Sequence, residues 1–309
     1  MALAAAAAIA VRAGIDDAAG SRAAGRHNST QVVQALSARP GSYLGLYAPR
    51  VPGSYSGVSS FTQVTTLTPS VIMYYSSWLE QFQTGFALDV ARHAAVPLVQ
   101  IEPAGVSLAA IAAGDYDSYL GSFAQAVRSY GNAVILSFGH EMNGSWYSWG
   151  HGHAAAADFV RAWRHIVTVF RSVGADNVTW LWTVNIVSDR PGGSGIPSPA
   201  AWWPGSSYVT WVGIDGYYLE PGWRFVSLFG PTIGIVRKFT GKPIIISETG
   251  AGQAGQPAQI TDLAAGIRTY GLLGFVWFDA VGKSDWRVIT PAAVSALRVA
   301  AGLYARDGA

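Results

Sequence analysis

Eight short apolar runs recur along the chain, and their spacing restricts the possible fold more than any other feature of the sequence. Each run is short enough to form one β-strand, and the segments between runs contain helical patterns of apolar residues. The runs cover residues 43–47, 71–75, 97–101, 133–138, 178–184, 209–214, 243–246 and 274–278. Eight strands, each followed by a crossover of roughly 20 to 35 residues, fit a closed parallel barrel of about 250 residues better than an open sheet. The sequence therefore predicts an α/β fold, the (β/α)8 TIM barrel.

The clearest helical pattern covers residues 154–174. Its apolar side chains fall on one face, Asp158 lies near the start, and Gly174 is placed to cap the end. Ser107 and Thr290 are expected to begin two further helices, after the third run and after the eighth. Strand and helix patterns thus alternate, as a barrel of this type requires.

A two-domain Rossmann arrangement is the competing fold. That fold needs a glycine fingerprint, G-x-G-x-x-G, directly after its first strand. The sequence after the first run reads LGLYAPRVPGSYSG, which does not contain it. We therefore expect one catalytic domain over residues 40–309, preceded by an N-terminal leader over residues 1–39.

If the runs form a barrel, their carboxyl ends meet on one face, which is where barrel enzymes carry their active sites. Three of the five glutamates in the chain lie at such ends, together with two aspartates and two aromatic residues. These residues are Glu102, Glu141, Asp215, Tyr217, Glu248, Trp277 and Asp279. Because the chain uses glutamate sparingly, its concentration on this face favours a catalytic role over an ordinary exposed position.

Residues 133–150, AVILSFGHEMNGSWYSWG, place one carboxylic acid among three aromatic rings at a strand end. An indole stacks on the C–H face of a sugar while the sugar hydroxyls need polar partners, so this combination indicates a carbohydrate site. Glu141, after the fourth run, would face Glu248, after the seventh, across the barrel mouth. Glycoside hydrolysis needs two facing carboxylates, and the distance between them decides whether the anomeric configuration is retained or inverted.

Two motifs carry a resemblance to a known family. Residues 140–150, HEMNGSWYSWG, resemble the acid/base motif of glycoside hydrolase family 26, and residues 246–250, ISETG, resemble its nucleophile strand. Segments 97–103, 111–119, 203–217 and 285–287 also follow in the order expected of that family. The resemblance implies a retaining endo-β-glycanase with a (β/α)8 barrel. Its implied substrate is β-1,4-mannan, with mixed-linkage β-1,3-1,4-glucan or β-1,3-xylan as alternatives.

The resemblance also implies roles for individual residues. Glu141 matches the general acid/base and Glu248 matches the nucleophile. Four further residues match substrate-binding positions: His140, Trp146, Tyr217 and Trp277. Of these, Tyr217 matches a tyrosine that donates a hydrogen bond to the nucleophile. Ile101 departs from the family pattern, in which an aromatic residue is more frequent, and this leaves the role of Glu102 open.

Composition excludes several other classes of function. Charged residues make up 12% of the 309 residues and the formal net charge is +2, so the chain lacks an electrostatic footprint for nucleic acid. It contains no cysteine, which excludes thiolate metal sites and cysteine nucleophiles. Gly144 occupies the second histidine position of an H-E-x-x-H zinc motif, and His151 and His153 have no further ligand near them in the sequence. No metal and no cofactor is predicted.

The expected partner is a polysaccharide or oligosaccharide, with no membrane and no nucleic acid, and we expect a monomer. The first eleven residues, MALAAAAAIAV, resemble the core of a secretory signal without its basic start, so a secreted enzyme and a disordered Ala-rich start both fit. Two other classes of function stay open. A carbohydrate-binding pseudoenzyme would usually have lost one of the two carboxylates. An enzyme acting on a small phosphorylated substrate has one faint signal, TGAG at residues 249–252.

Overall fold

A computed structural model describes residues 35–188 and 194–306 of the chain, with side chains as far as residue 302. Residues 1–34 of the predicted leader lie outside the described residues. So do residues 189–193, which belong to the segment after the fifth predicted strand. The first strand begins at Tyr43, close to the predicted start of the domain at residue 40.

Eight parallel strands form a closed barrel in which the order in space is the order in the sequence. They are β1 (Tyr43–Tyr47), β2 (Val71–Ser77), β3 (Val96–Glu102), β4 (Val134–Phe138), β5 (Val178–Asn185), β6 (Trp211–Asp215), β7 (Ile244–Thr249) and β8 (Gly274–Phe278). Pairing between β8 and β1 closes the barrel. The predicted (β/α)8 barrel is confirmed, and each predicted strand is present with its ends shifted by at most three residues.

Helices occupy the connections between the strands. They are α1 (Ser56–Thr65), α2 (Thr84–Arg92), α3 (Leu108–Ala113), α4 (Asp117–Tyr130), α5 (Ala156–Val173), α6 (Phe225–Leu228), α7 (Gly230–Arg237), α8 (Gln256–Thr269) and α9 (Pro291–Arg306), with a 3-10 turn at Pro199–Trp202. The helix predicted over residues 154–174 is α5, and Gly174 caps it in the left-handed conformation, with φ at 76°. Ser107 caps α3 as predicted, because its hydroxyl accepts the Ala110 N–H at 3.3 Å. Among the described residues, no helix has the length and apolar character needed to cross a membrane.

Side chains along each strand alternate between two hydrophobic clusters. On β2, Met73 points into the barrel and joins the inner cluster, whereas Tyr74 points outward and joins the larger cluster between the sheet and the helices. On β8, Trp277 points outward and Phe278 packs against the inner cluster. Because successive strand residues point to opposite faces, Tyr75 and Phe278 lie at the mouth of the barrel.

Candidate active site

The carboxyl ends of the strands surround one cleft with a volume of about 490 Å³. Glu141 and Glu248 both line this cleft. Its aromatic lining consists of Tyr75, Trp146, Tyr147, Tyr217, Phe278 and Trp286. Asn185 and Lys283 add an amide and a cation. Aromatic faces combined with a few converging polar groups are suited to a sugar chain, whose rings have apolar faces and polar edges.

Glu248 lies on β7 and receives a hydrogen bond on each carboxylate oxygen. The hydroxyl of Tyr217, two residues beyond the end of β6, donates to Oε1. The hydroxyl of Tyr75 on β2 donates to Oε2. Only 8% of the Glu248 surface is exposed to solvent. Two O–H donors stabilise the ionised form of a carboxylate, and they also fix the orientation of its plane.

Glu141 follows the end of β4 in an unusual backbone conformation. Its φ angle is 54°, in the left-handed region that few residues other than glycine adopt. The backbone N–H of Glu141 donates to the carbonyl of Thr183 on β5 at 3.0 Å, which holds this turn against the neighbouring strand. Its Oε1 accepts a hydrogen bond from Asn185 Nδ2 at 2.5 Å, and its Oε2 accepts one from Trp146 Nε1 at 2.7 Å. The turn therefore directs the carboxylate into the cleft and holds it there.

Burial and mutual repulsion determine the ionisation of the two glutamates. Burial and, after it, the nearby Glu141 carboxylate raise the pKa of Glu248 to about 7, against the lowering effect of the two tyrosine hydrogen bonds. Burial also raises the pKa of Glu141, while its hydrogen bonds and the positive charge of Lys283 lower it. Two buried carboxylates that repel each other titrate as a pair, and the charge on one favours the protonated form of the other.

A third acid lies beside this pair. Asp215, the last residue of β6, is opposite Glu248 in the strand register and fully buried. Its Oδ1 accepts a hydrogen bond from Ser247 Oγ at 2.6 Å. Burial and the charges of the two glutamates raise the pKa of Asp215 well above its usual range. Burial and the two neighbouring carboxylates thus favour the neutral form of Asp215.

His140 is buried beside the cleft and does not line it. Its Nε2 lies 3.1 Å from the Tyr147 hydroxyl, and its ring is 5.5 Å from the ring of Tyr75. Burial lowers the pKa of His140 to about 3, so the imidazole is neutral. Its contacts support two tyrosines of the cleft wall, Tyr75 and Tyr147. The substrate contact that the family resemblance implies for His140 stays a prediction.

The three aromatic residues predicted at the site have different positions. Trp146 lines the cleft with 48% of its surface exposed, and it contacts Glu141 directly. Tyr217 also lines the cleft and contacts Glu248. Trp277 is fully buried, since it points outward from β8, and its indole N–H donates to the carbonyl of Trp286 at 2.8 Å. The indole that lines this wall is that of Trp286, which stacks on Tyr217 at 4.3 Å.

Two residues that contact the glutamates, Tyr75 and Asn185, are not among the predicted site residues. Tyr75 is the last residue of the predicted second run, so its place at a strand end was a usable signal. Asn185 directly follows the predicted fifth run and is the last residue of β5. Both polar groups stand at the carboxyl end of a strand, as the two glutamates do.

Several other residues lie away from the cleft lining. Trp202 is buried and Trp203 packs edge-on against Trp182 at 5.0 Å, so this pair anchors the chain before β6 and offers no open sugar platform. His153 Nε2 contacts the carbonyl of Ser145 at 2.9 Å. Glu102 ends β3 half-buried, and burial raises its pKa.

Known proteins resemble this chain in sequence. The family model described as glycosyl hydrolase family 26 matches residues 114–239, which include Glu141. Endoglucanase H of Acetivibrio thermocellus is 30% identical over 267 residues, covering 81% of this chain and 29% of that protein. Mannan endo-1,4-beta-mannosidase A and B of Caldalkalibacillus mannanilyticus is 26% identical over 102 residues, covering 31% of this chain and 18% of that protein. The chain thus spans less than a third of the length of these curated relatives.

Solved structures share the fold. The Bacillus subtilis mannanase man26 superposes with a TM-score of 0.62 over 84% of this chain and 85% of that chain, at 16% sequence identity. Identity at this level is evidence for the barrel alone. The similarity in sequence is that to the family model and to Endoglucanase H, and residues 140–150 and 246–250, which resemble two motifs of the family, lie at the ends of β4 and β7. On these grounds the chain is similar in sequence to glycosyl hydrolase family 26.

Proposed function

We propose that the protein is a retaining endo-β-glycanase that hydrolyses a β-linked polysaccharide by double displacement. The observation that supports this most directly is the pair Glu141 and Glu248, which line one cleft from β4 and β7. Each carboxylate is held by two hydrogen bonds, so both are oriented before substrate binds. A preorganised pair of this kind is what two-step glycoside hydrolysis requires.

In the first step, Glu248 attacks the anomeric carbon, and the glycosidic C–O bond breaks with its electron pair going to the leaving oxygen. Glu141 gives its proton to that oxygen. In the second step, Glu141 removes a proton from water, whose oxygen bonds to the anomeric carbon while the ester bond to Glu248 breaks. The mechanism therefore requires Glu141 to be protonated and Glu248 to be ionised when the substrate binds.

The proposed backbone is β-1,4-mannan. Two relatives named mannan endo-1,4-beta-mannosidase support it, each matching about a third of this chain. β-Glucan is the second candidate, because the relative that matches 81% of the chain is named Endoglucanase H. Mannose and glucose differ in the orientation of one hydroxyl. The substrates to compare are therefore mannan, mixed-linkage β-glucan and β-1,3-xylan, side by side, with release of reducing ends as the measurement.

Alanine substitution of each glutamate tests the mechanism. Glu248→Ala should abolish turnover of every glycoside, because it removes the attacking group. In Glu141→Ala, the rate of polysaccharide cleavage should fall by a factor of about 100 or more. The variant should still release dinitrophenolate from an activated aryl β-glycoside, since that leaving group needs no proton. Added azide should then restore turnover in Glu141→Ala and give a β-glycosyl azide, the product expected of double displacement.

The exposed Glu220 provides the control, because Glu220→Ala removes a carboxylate that does not line the cleft. Its activity should stay at the level of the wild type. Equal losses on activated and unactivated substrates in Glu141→Ala would contradict the acid/base role. An α-glycosyl azide would contradict retention.

A further inference from the structure

Tyr75 approaches the proposed nucleophile from across the barrel. Its hydroxyl donates to Oε2 of Glu248, whereas Tyr217, just beyond the neighbouring strand β6, donates to Oε1. Strand β2 is separated from β7 by β8 and β1 in the closed barrel. An oxygen that contacts a hydroxyl on β2 must therefore point over the mouth of the barrel. Oε2 thus points across the mouth toward β2, while Oε1 points toward Tyr217 beside the neighbouring strand β6.

Contacts with two neighbouring rings hold Tyr75 in this position. Its ring meets that of Tyr47 edge-on at 5.5 Å and lies 5.5 Å from the imidazole of His140. His140 in turn contacts the Tyr147 hydroxyl at 3.1 Å. The position of the Tyr75 hydroxyl is therefore built by β1, β2 and the turn after β4, and it does not depend on Tyr217.

We propose that Oε2 is the oxygen of Glu248 that attacks the sugar, and that Tyr75 is a catalytic residue of the second step. This inference rests on the proposed function. In the second step, water oxygen bonds to the anomeric carbon and its proton goes to Glu141. The bond between the anomeric carbon and Oε2 breaks, and its electron pair returns to Oε2. The Tyr75 O–H stabilises the negative charge that forms there.

The two tyrosines then act at different stages. In the glycosyl ester, Oε2 is bonded to carbon and is a weak hydrogen-bond acceptor, whereas Oε1 is a carbonyl oxygen that still accepts from Tyr217. The hydrogen bond from Tyr75 to Oε2 is therefore stronger in the transition state of the second step than in the ester, and this difference accelerates that step. In the first step its hydrogen bond is already present in the free enzyme, so the gain there is small.

The test compares Tyr75→Phe and Tyr217→Phe on a dinitrophenyl β-disaccharide whose sugars come from the backbone that the wild type cleaves. At pH 8, Tyr75→Phe should lower kcat by at least about tenfold and lower KM with it, which leaves kcat/KM within about threefold of the wild type. Stopped-flow traces should show a burst of one dinitrophenolate per enzyme. Mass spectrometry of the intact protein should show the glycosyl adduct accumulating.

The Tyr217→Phe variant should lower kcat/KM and give no such burst. Tyr74→Phe is the matched control, because it removes a hydroxyl from the adjacent, outward-pointing residue of β2, which packs against Phe86. A Tyr75→Phe variant that loses kcat/KM as much as kcat and forms no adduct would overturn the role in the second step, as would unchanged kinetics. A wild type that cleaves no β-glycoside would instead overturn the proposed function itself.

Discussion

The Tyr217 hydroxyl is one group on which the ionisation of Glu248 depends. It donates to Oε1, while the ring stacks on Trp286 at 4.3 Å. Tyr217→Phe keeps the ring but removes a hydrogen bond to a charged group, worth roughly 1.5 to 3 kcal/mol. We expect kcat/KM on polysaccharide to fall by about 10- to 150-fold, with little change in Tm.

The neighbouring Tyr218 provides the control for this prediction. It is buried on the other side of the chain, where its hydroxyl lies 3.4 Å from Asp262 Oδ2. Tyr218→Phe should therefore leave kcat/KM close to that of the wild type. Normal kinetics in Tyr217→Phe together with impaired kinetics in Tyr218→Phe would show that Tyr218, and not Tyr217, makes the contact with the nucleophile.

At the scale of single residues, the sequence predicts which side chains stand at strand ends better than it predicts where they point. Trp277 belongs to a strand end, but its position in the alternation turns it outward, and Trp286 from the following loop lines the cleft. No periodic pattern predicts the position of Trp286, because residues in a loop do not alternate at a fixed interval. Tyr75 could have been found, since it ends a predicted run.

The turn after β4 is the element on which the position of Glu141 depends. Gly139 and Glu141 both adopt left-handed conformations there, with φ at 56° and 54°. A Cβ on Gly139 would lie 2.9 Å from Phe159 Cε2 and 3.2 Å from Trp149 Cδ1. Gly139→Ala should therefore lower the free energy of unfolding by about 2 to 5 kcal/mol, from the conformation and from the crowding together. Chemical denaturation measures this directly.

Gly152 separates the two contributions. It is also left-handed, with φ at 81°, but a Cβ there would have no atom within 4 Å. Gly152→Ala should cost only the conformational part, about 1 to 2 kcal/mol. Equal losses in the two variants would mean that the core around the turn adapts to the added methyl group.

At the scale of elements, strands are better predicted than connections. Apolar runs mark buried strands directly, and the errors are limited to a few residues at the ends. The segment that begins at Ser107 forms two helices, α3 and α4, because Gly114 ends α3 in a left-handed conformation. The segment between β6 and β7 also divides, into the short helices α6 and α7. Helices this short carry too few repeats for a periodic signal.

The stability of the whole molecule should depend on the charge of Glu248. Burial raises its pKa from 4.5 to about 7, so between these pH values the folded protein binds more protons than the unfolded chain. The stabilising contribution is complete below pH 4.5 and is lost as pH rises through about 7. Glu248→Gln removes the buried charge. At pH 8 its free energy of unfolding should therefore exceed that of the wild type by on the order of 1 to 3 kcal/mol, which raises Tm by a few degrees.

Thermal unfolding at two pH values checks this. The Tm of Glu248→Gln should exceed that of the wild type at pH 8 and equal it at pH 4.5. The control Glu220→Gln, at an exposed position, should have the Tm of the wild type at both pH values. A gain of equal size at both pH values would mean that packing, and not charge, is the cause.

At the scale of the molecule, the number and spacing of the apolar runs predict the barrel, and the barrel brings Glu141 and Glu248 together although 107 residues separate them. Parallel strands that close into a ring place all their carboxyl ends on one face, so distance along the sequence does not matter. The hydrogen bonds that hold the two glutamates depend on side-chain directions, which spacing alone does not specify.

The exposure of Trp146 has a consequence for how the protein can be observed. Of the twelve tryptophans, ten are buried and Trp203 is half-buried, so Trp146 is the one that water reaches freely. Its indole N–H also contacts Glu141. Iodide quenches only accessible indoles, so it should quench mainly the fluorescence of Trp146 in the cleft. A saccharide that covers this ring would shield it from quenching, so the unlabelled enzyme carries its own optical reporter of occupancy.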